Sequence, residues 1–282
     1  MNRITSTSYR TLTRFRWGSW TLVSLYLSVA SGIVVALQYD LANPYYSVVG
    51  LDLLVPYGAF FRSVHFYSSQ AFFLLGCIHL LAAYAKTEDY SRQDWQMLVL
   101  SLVAGLLLLF TGYILRADST GFAAGMIAES IIKTIPLAGD TLNAMFFAIS
   151  DQGLHRVYVH HVITLDALWL VLVWGHLRRY RVRLSEHLPF ICLLLMFSLA
   201  VSAPLDQEQP GTTYIAGPWF YLGLQEMLRY FPPLFAGVIW PASFVAALLY
   251  AKQCPSRRPL LLRLIFLWLL LYATLSVIAW LR

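Results

Sequence analysis

The sequence predicts an all-α, polytopic membrane protein with about seven transmembrane helices, four forming a core and three following at the C-terminal side. Three observations carry this. Hydrophobic residues make up 59% of the 282 residues and charged residues only 12%, against roughly a quarter charged in a water-soluble domain. Several nearly uncharged stretches run for about 20 residues, the length that crosses ~30 Å of hydrocarbon. Lysine and arginine fall on alternate sides of these stretches. Only helices and closed barrels satisfy their backbone polar groups in lipid, and the runs are too long and too uniformly apolar for barrel strands.

The spans are expected over residues 17–39, 64–85, 95–115, 157–180, 187–204, 231–250 and 260–281, the fifth being short. Arg3, Arg10, Arg14 and Arg16 precede the first span, which therefore reads as an uncleaved first helix. Lys86 and Arg92 lie between the second and third spans. Arg178, Arg179, Arg181 and Arg183 follow the fourth. Lys252, Arg257, Arg258 and Arg263 lie between the last two. Fourteen of the twenty basic residues thus share one side, which the positive-inside rule places in the cytoplasm. The reading is an inner-membrane protein with its N-terminus cytoplasmic and its C-terminus on the positive (p) side, the periplasm. The formal charge of +6 is accounted for by orientation in a lipid bilayer, so no nucleic-acid partner is implied. Cys77, Cys192 and Cys254 form no CxxC or CxxCH, which excludes a cysteine zinc site and c-type haem attachment.

Two p-side connections are long, and loops of more than ~15 residues tend to be functional. Residues 116–156 contain helix-like pieces at Ala123–Ile135 and Asp140–Ile149, with a turn at Pro136, Gly139 and Asp140. Residues 205–230 hold Pro210, Gly211, Gly217 and Pro218, then a short helix from Phe220 to Arg229.

Four histidines lie in or at the ends of spans. His65 and His79, fourteen residues apart on the second span, are separated by about 21 Å and return to nearly one face. His161 and His176, fifteen apart on the fourth, are separated by about 22 Å and fall within ~60° of one face. Both spans run from the p-side to the cytoplasm, so side by side they set His65 opposite His161 and His79 opposite His176. Each pair can supply both axial ligands to one haem iron. A lone intramembrane histidine is more often hydrogen-bonded to a neighbouring helix. Two pairs at matched depth weigh against that, and ligands so far apart along a helix do not suit one zinc or copper ion. His160 is turned ~160° from His176 and is a candidate for a supporting or quinone-site role. His155 and His187 read as ordinary loop residues. Arg62 and Arg156 fall at the p-side edge, where a guanidinium can pair with a haem propionate or simply snorkel.

These residues resemble the cytochrome b family of quinol:cytochrome c oxidoreductase (bc-type) complexes, over nearly the whole chain. The family's R-x-x-H-x13-H is seen from Arg62 through His65 to His79, and its R-x4-H at Arg156 and His161. The fifteen-residue step to His176, with Arg181 five further on, is similar to the short photosynthetic branch. Gly18 and Gly32 look like the family's first-helix glycine pair, where a bare backbone lets a porphyrin approach. Thr111-Gly112-Tyr113 is similar to its T-G-Y, although the partner glycine expected before Gly112 is Leu98. The cysteine that anchors a third haem in the photosynthetic branch is Arg16 here, so no third haem is expected. The last three spans resemble the family's C-terminal part, fused here to the N-terminal part, which gives a dihaem domain over 1–184 and a quinol-site domain over 185–282.

The resemblance implies two b haems, a quinone or quinol (menaquinone or ubiquinone), and a homodimer within a larger complex. The redox partner is a Rieske iron-sulfur protein or a c-type cytochrome, including multihaem forms. It also implies a p-side quinol site near Gly217–Arg229. There the family's motif glutamate is replaced by Pro218, leaving Tyr221 to bond a quinone head and Glu226 or Glu129 as acidic candidates. Arg181, Glu186 and His187 are the candidates for proton uptake at a cytoplasmic quinone site. The lost glutamate keeps a second reading open, a non-bifurcating haem relay and membrane anchor between a periplasmic multihaem cytochrome c and the quinone pool. A transporter with buried histidines fits less well, because no matched pair of broken helices is seen.

Overall fold

A computed structural model describes residues 15–84, 87, 90–206 and 215–282. Arg3, Arg10, Arg14, Lys86, Pro210 and Gly211 lie outside these. The helices are α1 (Trp17–Gln38), α2 (Pro44–Leu54), α3 (Gly58–Ala83), α4 (Arg92–Ile114), α5 (Ser119–Lys133) and α6 (Gly139–Phe146). There follow α7 (Leu154–Leu177), α8 (Leu188–Ala200), α9 (Leu222–Met227), α10 (Phe235–Gln253) and α11 (Arg258–Trp280). Among the described residues there is no strand, and six helices, α1, α3, α4, α7, α10 and α11, are long and apolar enough to cross a membrane. The expected fifth span corresponds to α8, which has only 13 residues, about 20 Å of helix. Pro189 starts it, and extended Val201 stops it.

Two compact units are present. The first comprises the chain up to Leu109 together with Leu168–Pro204. Here α1 packs along α3, with α2 and α8 also on α3. The seam is built from small residues: Ser24, Ser28 and Ser31 of α1 and Ser63 and Ser68 of α3 are all buried. Lipid gives no hydrophobic drive to helix pairing, so close van der Waals approach and hydrogen bonds hold the seam. The hydroxyls of Ser28 and Ser69 meet at 2.8 Å across it, while Ser31, Ser63 and Ser68 cap carbonyls of their own helices. The segment after α8 is pinned to α3. The Ala203 amide donates to Ser63 Oγ at 2.9 Å, and the Tyr67 hydroxyl donates to the Ser202 carbonyl at 3.2 Å.

The second unit comprises Phe110–Ala167 and Leu205–Arg282. The helical pieces expected in the first p-side loop are α5 and α6, and the turn between them holds Leu137 at φ 64°. Asp118 caps α5, accepting from the Gly121 amide at 2.9 Å. Its carboxylate also pairs with Arg116 and accepts from the Asp206 amide, and Thr120 donates to Asp206 at 2.6 Å. This polar knot joins the end of α4 to the strand-like start of the second long connection. The short α9 lies on α11, with Gly223 at the crossing. A Cβ there would meet Ser276 Oγ and the Tyr272 carbonyl at 2.8 Å. Gly223→Leu is therefore expected to destabilise the protein by about 1–3 kcal/mol through overpacking, read as a lowered unfolding midpoint in detergent, whereas Gly217→Ala, facing side chains, costs less.

Candidate functional site

The clearest arrangement lies in the first unit. The imidazoles of His79 (α3) and His176 (α7) face each other with ring centroids 6.1 Å apart. Two metal–imidazole bonds of about 2 Å in line, with half a ring at each end, span about 6 Å, so the separation suits one iron between the rings. Below His79 lies Gly18 of α1, where a Cβ would come within 2.9 Å of the ring's Cε1. On the other side a small cavity reaches His176, lined by Tyr90, Asp94, Leu98, Gly175 and Arg179. Leu98 is thus placed beside His176 where the family resemblance calls for a glycine. The Nδ1 of His176 is buried with no partner among the described residues. Arg179 lies 3.8 Å from Asp94. Further out, Arg16 pairs with Glu186 at 2.6 Å, which holds the Glu186 carboxyl below the usual range. His187 is buried at the start of α8, and Arg181 is exposed.

His65 also sits on a glycine. A Cβ on Gly32 would lie 2.8 Å from its Cε1, and the ring's Nδ1 is 2.9 Å from the Ser28 carbonyl. In the second unit His161 repeats the pattern: Gly112 lies beneath it, with a Cβ distance of 2.9 Å, and Thr111 Oγ1 is 3.0 Å from its Nδ1. His160 is engaged elsewhere, its Nε2 3.0 Å from the Met145 carbonyl and its ring 5.1 Å from that of Phe146. This favours His161 over His160 as the ligand.

A local feature reconciles the two histidine spacings. Residues His160–Thr164 form a π turn inside α7. Fifteen residues of regular α-helix leave an offset of about 60°, and fourteen leave about 40° in the opposite sense. A π turn absorbs one residue, so the fifteen-residue step acts as a fourteen-residue one and matches α3.

The two p-side arginines differ. The position of Arg62 in the sequence offers it to a propionate or to snorkelling, and in the structure its guanidinium is taken up by this chain. It donates to both Asp52 oxygens at 2.7 and 2.5 Å and to the carbonyls of Ala203 and Pro204. Arg156, half-buried in the first turn of α7, has no partner among the described residues.

The p-side candidates also separate. Tyr221 is buried, its ring stacked on Phe110 at 5.5 Å, and its hydroxyl has no partner among the described residues. Burial raises its pKa above the ordinary tyrosine value, with Tyr272 adding to the shift, so the hydroxyl remains a donor. Glu226 is buried to 1% exposure, and its Oε1 accepts from the Tyr230 hydroxyl at 3.0 Å and pairs with Arg282 at 3.1 Å. Glu129 is also buried but is saturated, receiving Lys133, Asn143, and both the amide and hydroxyl of Ser150. Burial alone would raise its pKa, but the bonds from Lys133 and Ser150 outweigh this and hold it at about 2. A carboxyl so held does not take up protons near neutrality, which leaves Glu129 as an anchor for the α5–α6 loop.

Intramembrane histidines seated on glycine, two of them opposed at an iron-spanning distance, define a membrane-embedded haem protein. The chain belongs to the cytochrome b/b6/petB family, whose model matches residues 4–183; it is thus a transmembrane b-type cytochrome of electron transport. It is 29% identical over 178 residues to cytochrome b6 of Heliomicrobium gestii, covering 60% of this chain and 83% of that one. It is 24% identical over 172 residues to cytochrome b of Python regius, spanning 57% of this chain and 46% of the python protein. A solved chain described as hyperthermophilic respiratory Complex III shares the fold, with a TM-score of 0.72 and 18% identity over 93% of this chain and 82% of that one.

Sequence reasoning did not identify α2, whose Asp52 holds Arg62, nor the serine seam. The signal for the seam was present as small polar residues at 24, 28 and 31, a helical repeat.

Glu129 gives a prediction with a defined sign. Its folded pKa is depressed, so its contribution is present above the unfolded value of ~4.3 and is lost as pH falls through about 2. Glu129→Gln is expected to cost about 2 kcal/mol from pH 8 down to about 5, a penalty that shrinks toward pH 2, in denaturation measured across that range.

Proposed function

We propose that the chain is the dihaem cytochrome b subunit of a membrane quinol:electron-acceptor oxidoreductase. It carries electrons across the bilayer between quinone sites and a periplasmic redox partner, either a Rieske protein or a c-type cytochrome. The observation that carries this reading is the opposed His79–His176 pair, supported by the repetition of the histidine-on-glycine arrangement at His65 and His161. Haem bound at these rings supplies one-electron chemistry. By their spacing in the sequence, His65 and His161 would hold the p-side group and His79 and His176 the cytoplasmic-side group. Arg156 answers a propionate at the p-side edge, and Gly18, Gly32 and Gly112 make room for the macrocycles.

At the p-side the buried Tyr221 hydroxyl donates to a quinol oxygen, and Phe110 provides a flat ring beside it. Glu226 accepts the quinol proton, oriented by Tyr230 and Arg282. On the cytoplasmic side, Arg181, Glu186 and His187 serve proton uptake at a second quinone site. The basic residues orient the chain with its N-terminus in the cytoplasm, in the inner membrane, as part of a dimer within a larger complex. Pro218 at the place of the family's motif glutamate favours a second reading, in which the p-side quinol site is lost and the chain relays electrons from a multihaem cytochrome c.

The two readings separate on Glu226. In the assembled complex, Glu226→Gln is expected to slow quinol oxidation by about 100-fold or more, the low end of general-base effects, with haem content unchanged. Quinol oxidation at the wild-type rate in that variant would exclude Glu226 as the base, and a wild-type complex that oxidises no quinol while electron flow from the periplasmic partner is intact would establish the relay instead.

A further inference from the structure

We infer that Thr111 is a positioning residue for the p-side haem ligand: its hydroxyl fixes the tautomer of His161 and lowers the reduction potential of the iron that His161 binds. This rests on the assignment of His161 as an axial ligand. Thr111 is buried to 4% exposure at the end of α4, with its Oγ1 3.0 Å from His161 Nδ1. A ring that presents Nε2 to a metal carries its proton on Nδ1, and the acceptor of that proton decides the ring's orientation and tautomer. Such a bond makes the imidazole a stronger electron donor, which stabilises the oxidised iron more than the reduced one. Burial removes water as a competing acceptor and strengthens the bond.

The next residue completes the device. Gly112 lies under the same ring, and a Cβ there would stand 2.9 Å from its Cε1. One residue therefore sets the height of the imidazole and its neighbour sets the rotation. The other histidines differ. His65 has a backbone acceptor, the Ser28 carbonyl at 2.9 Å, with the Ser28 hydroxyl further off at 3.5 Å. His176 has no partner for its buried Nδ1 among the described residues. Thr111 is thus a side chain through which the sequence can adjust a p-side ligand without touching the ligand itself.

The test uses the full chain in its membrane, with Thr111→Val, which keeps the shape and removes the hydroxyl, and Thr111→Ser, which restores it. Ser24→Ala, at a buried serine of α1 whose hydroxyl has no partner among the described residues, is the control. Optical redox titration resolves the b-haem components, and the component absent from a His161→Leu chain identifies the p-side haem. Thr111→Val is expected to raise the midpoint of that component alone. Thr111→Ser returns it toward the wild-type value, and Ser24→Ala leaves it within error. Should Thr111→Val fail to retain the p-side haem, consistent with the ~10–100-fold affinity cost of losing such a partner, retention at the wild-type potential in Thr111→Ser carries the same conclusion. An unshifted midpoint in Thr111→Val, or a Thr111→Ser midpoint displaced as far as that of the valine variant, overturns it. A His161→Leu chain that keeps every component refutes the ligand assignment itself, whatever Thr111 does.

Discussion

Inside a bilayer, two helices that pack along their length gain nothing by excluding water, so what they bury must fit closely or bond directly. The α1–α3 seam meets that demand with small residues, Ser28 of α1 bonding Ser69 of α3 across it, and short hydroxyls let the backbones approach. Close approach has a second consequence. It carries Gly18 and Gly32 of α1 against the rings of His79 and His65, so the residues that pair the helices also fix the histidines. The same logic recurs where Gly112 of α4 meets His161. A larger residue at any of the three would force the imidazole aside.

Away from the spans the structure relies on charge. The connections between the long helices are fastened by carboxylates that receive several donors: Asp52 with Arg62, Asp118 with Arg116 and two amides, Glu129 with Lys133 and Ser150. Removing one partner of such a pair leaves a desolvated charge behind, which costs more than the bond is worth in isolation. These knots separate structural acids from the acid with scope for chemistry. Glu129 is saturated, whereas both bonds to Glu226 fall on one oxygen. The distinction follows from the count of donors and is invisible in the sequence, where each is a single glutamate in a short, largely apolar helix.

What the sequence makes legible is what depends on hydrophobic length and helical period. Uncharged runs locate α1, α3, α4, α7, α10 and α11, and the spacing of His65, His79, His161 and His176 identifies the ligand candidates and their depth. Features set by tertiary contact are not legible. The helix α2 is 11 residues in a stretch that reads as a connection, and nothing nearby in sequence says that its Asp52 meets Arg62. The π turn at His160–Thr164 has no compositional signature, yet it explains why a fifteen-residue step serves as well as a fourteen-residue one. Leu98 was legible as a departure from the family pattern, and the structure adds its consequence, a side chain beside His176 in place of bare backbone.

The account stands on the claim that four histidines form two axial pairs, one at each depth. Haem quantified per polypeptide by the pyridine haemochrome method, in the wild-type chain and in His161→Leu, tests it most directly. The account predicts two b haems per wild-type chain and one in the variant, with the remaining component keeping its wild-type spectrum and potential. A single haem in the wild type, or two retained after His161 is replaced, would contradict it.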